Sequence, residues 1–82
     1  MSDLKILADV GEMLVSLRST LGYDLELAAT LAHLEPERLA EAEAGEIALE
    51  ERELAGLADV YGVSVTAFFG GRTTPLSYFA GA

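Results

Sequence analysis

The sequence has no cysteine and no tryptophan, and only five of its 82 residues are lysine or arginine. Without cysteine, disulfides and thiolate metal sites are excluded. The longest apolar runs are a few residues, far short of a membrane span. Residues 1–10 include Asp3, Lys5 and Asp9 and lack the basic start and long apolar stretch of a secretory signal. We therefore expect a cytoplasmic protein that does not associate with a membrane.

Positive charge is scarce, and the negative charge is concentrated in the middle of the chain. The formal net charge is −9. Residues 22–53 contain ten acidic and two basic side chains, so this segment alone carries a charge of −8. A charge of this sign keeps a small protein in solution and repels nucleic acid at long range.

The apolar residues indicate a single helical domain. They make up 51% of the sequence, which is typical of a globular protein of one domain. Leu7, Val10, Leu14, Leu17 and Leu21 recur at alternating steps of three and four, which predicts a helix over residues 3–21. Gly11 inside this helix indicates close packing or a bend. Further helices are predicted over residues 25–32, 36–44, 50–61 and 65–69, with a loop over residues 46–49.

The residues between these segments are typical of helix ends. Asp24 and Ser64 are suited to N-cap positions, and Pro36 is suited to the first turn of a helix. His33 occupies a tight turn that requires a left-handed residue, where glycine is the usual choice. Glycines 22, 45 and 62 follow predicted helices at the position where a left-handed residue ends them. The sequence thus predicts an all-α fold.

Short motifs within these helices resemble a known family. Residues 22–25 read Gly-Tyr-Asp-Leu, residues 34–39 read Leu-Glu-Pro-Glu-Arg-Leu, and residues 57–64 read Leu-Ala-Asp-Val-Tyr-Gly-Val-Ser. Together with residues 10–18 and 43–45, they resemble the Xre/Cro (phage repressor-like) helix-turn-helix family. The resemblance implies a compact five-helix lambda-repressor-like domain over residues 1–69, followed by an apolar C-terminal tail over residues 70–82. It also implies an internal salt bridge between Arg18 and Glu43.

The resemblance further implies a surface that reads double-stranded DNA. The base-contacting positions of the family fall on Glu35, Glu37, Arg38 and Glu41. A glutamate can accept a hydrogen bond from cytosine, and an arginine can pair with guanine. However, phosphate contacts supply much of the affinity, and they require positive charge. Glu35 and Glu37 lie at a helix N-terminus, where they would repel a phosphate; alternatively, they only stabilise the helix and lie to one side.

The sequence offers little support for catalysis or for a cofactor. His33 is the only histidine, and with Glu26 and Glu35 it could hold a surface metal ion, although a turn residue is the simpler interpretation. We find no serine-histidine-acid set, glycine-rich phosphate loop or EF-hand loop. We expect no enzyme activity, no cofactor and no metal.

Aromatic side chains cluster near the C-terminus. Phe68 is expected in the core, whereas Phe69, Tyr78 and Phe79 are candidates for a homodimer interface. The alternative is that the tail only covers the core of its own domain.

Three hypotheses for function follow. The chain is a dimeric DNA-binding transcriptional regulator, as the resemblance implies. Alternatively, it is an acidic helix-turn-helix interaction protein, of the antirepressor, antitoxin or DNA-mimic type, which binds a basic protein and not DNA. In the third hypothesis it is the N-terminal module of a longer chain, with a linker that begins at Gly70.

Overall fold

Four α-helices follow one another in the computed structural model, which describes residues 2–70 and 78–79. They are α1 (Ser2–Leu21), α2 (Leu25–Leu31), α3 (Pro36–Glu43) and α4 (Glu51–Tyr61). No strand occurs among the described residues, so the prediction of an all-α protein is confirmed. The predicted fifth helix is a short 3-10 helix, Val65–Phe69, instead of an α-helix.

The helix ends follow from local side-chain and backbone chemistry. The Asp24 carboxylate accepts a hydrogen bond from the Leu27 backbone N–H at 2.8 Å, as an N-cap residue does. His33 has a φ of +60°, which is the left-handed conformation that the turn between α2 and α3 requires. Ser64 precedes the 3-10 helix, but its hydroxyl lies 2.7 Å from the Thr66 hydroxyl and makes no capping bond.

The 3-10 helix is short because left-handed glycines bracket it. Gly62 and Gly70 both have a φ of +72°, which ends α4 on one side and the 3-10 helix on the other. Few residues remain between them, and runs of this length commonly adopt the tighter 3-10 geometry. Phe68 of this segment is nevertheless fully buried in the core.

Helix α1 packs closely against α3 at Gly11. A β-carbon on Gly11 would lie 2.5 Å from the Glu43 carbonyl oxygen and 2.8 Å from that of Ala42. The glycine therefore serves close packing, one of the two roles that the sequence suggested. This contact brings the middle of α1 against the C-terminal end of α3.

The core forms a single cluster that all the helices share. Among the described residues, the only buried residues with a polar side-chain group are Tyr61 and Tyr78. The radius of gyration is 11.3 Å, close to the value of about 12 Å expected for a compact chain of this length. None of the described helices is long and apolar enough to cross a bilayer. The buried residues are Val10, Leu14, Ala28, Ala29, Leu39, Ala42, Ala48, Leu49, Leu54, Leu57, Ala58, Tyr61, Phe68 and Tyr78.

Candidate interaction surface

The acidic residues at and near α3 face solvent. Glu35 is the N-cap residue of α3, and Glu37 and Glu41 lie one turn apart along the helix. All three side chains are exposed. None of them forms an ion pair within the described part of the chain. We refer to Glu35, Glu37 and Glu41 as the acidic surface of α3.

Arg38, the only base on α3, is held by a carboxylate of α4. Its Nε donates to Glu53 Oε2 at 2.7 Å, and its Nη2 donates to Glu53 Oε1 at 2.9 Å. This two-pronged geometry is the strong form of an arginine-carboxylate pair. The pair raises the pKa of Arg38 and lowers the pKa of Glu53. Two donor groups of Arg38, which the resemblance assigned to a base or a partner, are therefore already occupied.

Glu53 also organises the beginning of α4. Its Oε1 accepts a hydrogen bond from the backbone N–H of Glu50, the N-cap residue, at 2.7 Å. The carboxylate thus links Arg38 of α3 to the first turn of α4. The sequence pattern does not reveal this pairing, because it depends on how the loop between α3 and α4 sets the angle of the two helices.

Arg18 and Glu43 are brought together by the packing of α1 on α3. The Arg18 Nε donates to Glu43 Oε2 at 2.7 Å, and its Nη2 donates to Glu43 Oε1 at 2.9 Å. The third nitrogen, Nη1, donates to the Tyr23 carbonyl at 3.1 Å. The hydrogen bonds to Glu43 raise the pKa of Arg18. The pair is largely shielded from solvent, with side-chain exposures of 18% and 8%. The pair therefore links α1 to α3, and the third bond of Arg18 links α1 to the turn before α2.

The aromatic residues near the C-terminus pack on their own domain. The Tyr78 ring is 1% exposed, and its hydroxyl accepts a hydrogen bond from the Leu49 backbone N–H at 2.9 Å. Phe69 and Phe79 lie edge-on to this ring, with centroid distances of 5.5 and 5.1 Å. Tyr78 is therefore a core residue of its own domain, as expected if the tail covers the core, and its place in a homodimer interface stays a prediction. Phe69 and Phe79 are partly buried.

Of the predicted C-terminal tail beyond Gly70, the structure describes only Tyr78 and Phe79. Residues 71–77 and 80–82 lie outside the described residues. A domain boundary after Phe69 would separate Tyr78 from the core in which it is buried.

His33 does not belong to a group of described side chains that could hold a metal ion. Its side chain is exposed on the turn between α2 and α3. The described residues contain no group of three or more histidine, aspartate or glutamate side chains placed to hold a metal ion.

A groove of about 1040 Å³ lies between α1 and the 3-10 helix, with Lys5, Asp9, Glu12 and Ser16 among its lining residues.

Two exposed leucines on α2 were not identified from the sequence. Leu27 and Leu31 are 45% and 47% exposed. The signal was present in the composition of α2, because leucines at 25, 27 and 31 cannot all face the same side of a helix. Ala28 and Ala29 form the buried side of α2 instead.

Comparison of the chain with family models, with curated proteins and with solved structures gives no match.

Proposed function

We propose that this protein is an acidic helix-turn-helix interaction protein that binds a basic protein partner through the surface around α3. The proposed fold is lambda-repressor-like, with α2 and α3 as the helix-turn-helix. Three features support that assignment: the left-handed His33 between the two helices, the exposed outer side of α3, and the Arg18–Glu43 pair behind it. The proposal concerns binding and regulation and includes no catalytic step.

The observation that carries the proposal is that neither α2 nor α3 carries a lysine or arginine without a carboxylate partner. Between Arg18 and Arg38 the chain contains no lysine or arginine. Each of these two arginines is paired with a glutamate through two hydrogen bonds. A DNA duplex laid along α3 would meet exposed carboxylates without the cations that normally bind its phosphates. A basic protein surface would instead find complementary charge.

The test compares two variants of equal charge. Glu37→Gln/Glu41→Gln removes two carboxylates from the acidic surface of α3, and Glu12→Gln/Asp59→Asn removes two exposed carboxylates from α1 and α4. The probe is a fluorescent lysine-rich peptide, whose binding is measured by anisotropy at low salt. We expect the first variant to weaken binding by about fivefold and the control to weaken it by less than about twofold. Equal losses would contradict a localised surface.

Heparin chromatography provides the complementary measurement. We expect the protein to pass through a heparin column at low salt, because heparin presents dense negative charge as DNA does. Retention that falls steeply with added salt would contradict the proposal and would favour nucleic acid as the partner.

The second candidate function is a homodimeric, DNA-binding transcriptional regulator. The observation that favours it is the position of Arg38, which remains partly exposed on the side of α3 that is turned to solvent. In this case Arg38 exchanges Glu53 for a guanine, and Phe69 and Phe79 contribute to the contact between copies. Selection from a random duplex library tests this candidate. Arg38→Ala should then weaken binding to the selected duplex by about 1–3 kcal/mol.

A further inference from the structure

Leu27 and Leu31 form an exposed apolar ridge on α2. They lie four positions apart, so their side chains stand one above the other on the same side of the helix. Both side chains are nearly half exposed. The side of α2 that packs on the core is formed by the buried Ala28 and Ala29. A single exposed leucine is ordinary in a folded protein, but two that adjoin along a helix make a continuous apolar strip. The core does not use this strip.

Acidic side chains border the ridge. Asp24 and Glu26 lie toward its N-terminal end, on opposite sides of the line through the two leucines, and both are exposed. Glu35 follows Leu31 after the turn and is also exposed. No lysine or arginine lies in this part of the sequence, from residue 19 to residue 37. The ridge is therefore an apolar strip in a negative surrounding.

The charge distribution selects the kind of partner. A second copy of this chain also carries a net charge of −9, so pairing two identical ridges would bring like charges together. A cationic amphipathic helix matches both properties of the surface, because its apolar side chains recur at the same spacing and its lysine or arginine residues flank them. The stems of those basic side chains can also cover the edges of the two leucines.

We propose that Leu27 and Leu31 are the apolar half of a docking site for a cationic amphipathic helix. The inference rests on the proposed function, because it specifies the basic partner proposed above. The partner helix lies along α2, its apolar side chains contact the leucine ridge, and its basic side chains reach Asp24, Glu26 and Glu35. The carboxylates of Asp24, Glu26 and Glu35 attract the basic side chains of the partner, and the leucine ridge makes the site selective for an amphipathic sequence.

Two synthetic peptides of identical composition test this inference. Each contains leucine and lysine over about 14 residues, roughly four helical turns. In the first, the leucines recur at helical spacing and form one apolar side. In the second, the same residues are ordered so that the leucines are distributed around the helix. Binding of each peptide is measured by fluorescence anisotropy. We expect the amphipathic peptide to bind at least about tenfold more tightly than its isomer.

The ridge itself is tested by a matched pair of variants. Leu27→Ser/Leu31→Ser should abolish the preference between the two peptides and retain the weaker, charge-driven binding of both. Val15→Ser is the control, because Val15 is an apolar residue on α1 that is 37% exposed. The control should keep the full preference.

Chemical shift mapping of the unaltered protein gives a readout that does not depend on the folding of a variant. Titration with the amphipathic peptide should shift the amide resonances of residues 24–31 most strongly. Shifts centred on another helix would overturn the inference.

The remaining outcomes separate the two proposals. If both peptides bind equally and the serine variant changes nothing, the docking site is wrong and the acidic interaction protein stands. If neither peptide binds, both proposals fail. If the serine substitutions convert a dimer into a monomer in light scattering, the ridge is a contact between copies and the inference is overturned.

Discussion

At the residue scale, two buried tyrosines differ in the hydrogen bonding of their hydroxyl groups. Tyr61 is 5% exposed and stacks near Tyr23, but its hydroxyl oxygen has no hydrogen-bond partner within the described residues. Burial raises the pKa of Tyr61 to about 12, and the neighbouring charge of Glu43 acts in the same direction. The Tyr78 hydroxyl, in contrast, accepts a hydrogen bond from the backbone N–H of Leu49. The two hydroxyl groups should therefore affect stability in opposite ways.

Replacing each tyrosine by phenylalanine tests this difference. Tyr61→Phe removes a buried polar atom without a partner and should raise the free energy of unfolding by about 1 kcal/mol. Tyr78→Phe leaves the buried Leu49 N–H unpaired and should lower it by about 1–2 kcal/mol. Chemical denaturation of the two variants measures both changes. A loss of stability in Tyr61→Phe similar to that in Tyr78→Phe would show that the Tyr61 hydroxyl is hydrogen-bonded in solution.

Glu53 should make stability depend on pH in the acid range. The hydrogen bonds from Arg38 hold the pKa of Glu53 below its ordinary value of 4.5, and the Glu50 N–H acts in the same direction. A carboxyl group with a lowered pKa in the folded state stabilises the fold above its ordinary pKa. That contribution is lost as the pH falls below 4.5 and toward the pKa of the folded state.

Glu53→Gln tests this dependence. The variant should be less stable at neutral pH by about 1–2 kcal/mol, because Arg38 loses a charged partner but stays partly solvated. Its stability relative to the parent protein should recover as the pH falls below 4.5. Glu51→Gln, an exposed carboxylate in the same first turn of α4, is the control and should track the parent protein. A constant gap between Glu53→Gln and the parent over this range would contradict the assigned role of the carboxylate.

At the scale of elements, the packing of α1 on α3 should be more sensitive to one added methyl group than any other helix contact described above. Gly11→Ala places a β-carbon against two backbone carbonyls of α3, so the helices must separate, at a cost of about 2–3 kcal/mol. Gly56→Ala is the matched change in α4, where the new β-carbon would lie 3.6 Å from the Ala32 carbonyl oxygen, an ordinary contact. It should raise stability by about 0.5–1 kcal/mol through helix propensity. Thermal unfolding of both variants distinguishes the two sites, and equal effects would mean that α1 and α3 are less closely packed.

The elements also show how far the sequence determines the fold. The Asp24 cap and the left-handed His33 are local signals, and the structure contains both. The apolar spacing in α1 is also local; Val10 and Leu14 are buried, but Leu21 at the end of the helix is 45% exposed. The Arg38–Glu53 pair and the burial of Tyr78 depend on contacts across 15 and 29 positions of sequence. Local spacing carries no information about such contacts, because they follow from the angles at which helices and loops meet.

The acidic surface of α3 shows the same difference between local signals and contacts that are distant in sequence. That Glu37 and Glu41 are exposed follows from their helical spacing opposite the buried Leu39 and Ala42. That Arg38 is unavailable does not follow from its position on α3, since Glu53 reaches it from another helix. The sequence thus predicted where the negative charge would lie but not how the positive charge beside it would be used.

At the scale of the whole molecule, the excess of carboxylates should make stability depend on salt. The exposed acids repel one another, and dissolved ions screen this repulsion over a Debye length of about 8 Å at physiological ionic strength. The shielded Arg18–Glu43 pair is screened much less. Raising sodium chloride from low to physiological concentration should therefore increase Tm by about 4 °C.

Differential scanning calorimetry measures the effect. The variant Glu37→Gln/Glu41→Gln should show a smaller increase, because two of the repelling charges are gone. A Tm that falls with added salt would mean that surface ion pairs stabilise the molecule more than carboxylate repulsion destabilises it.

The position of Tyr78 has a consequence for how much of the chain is needed to fold. Its ring is enclosed by the domain, and its oxygen satisfies a backbone group just before α4. A fragment truncated after Phe69 would therefore have a solvent-filled hollow in its interior and should refold poorly. The shortest autonomous folding unit therefore extends at least to Tyr78.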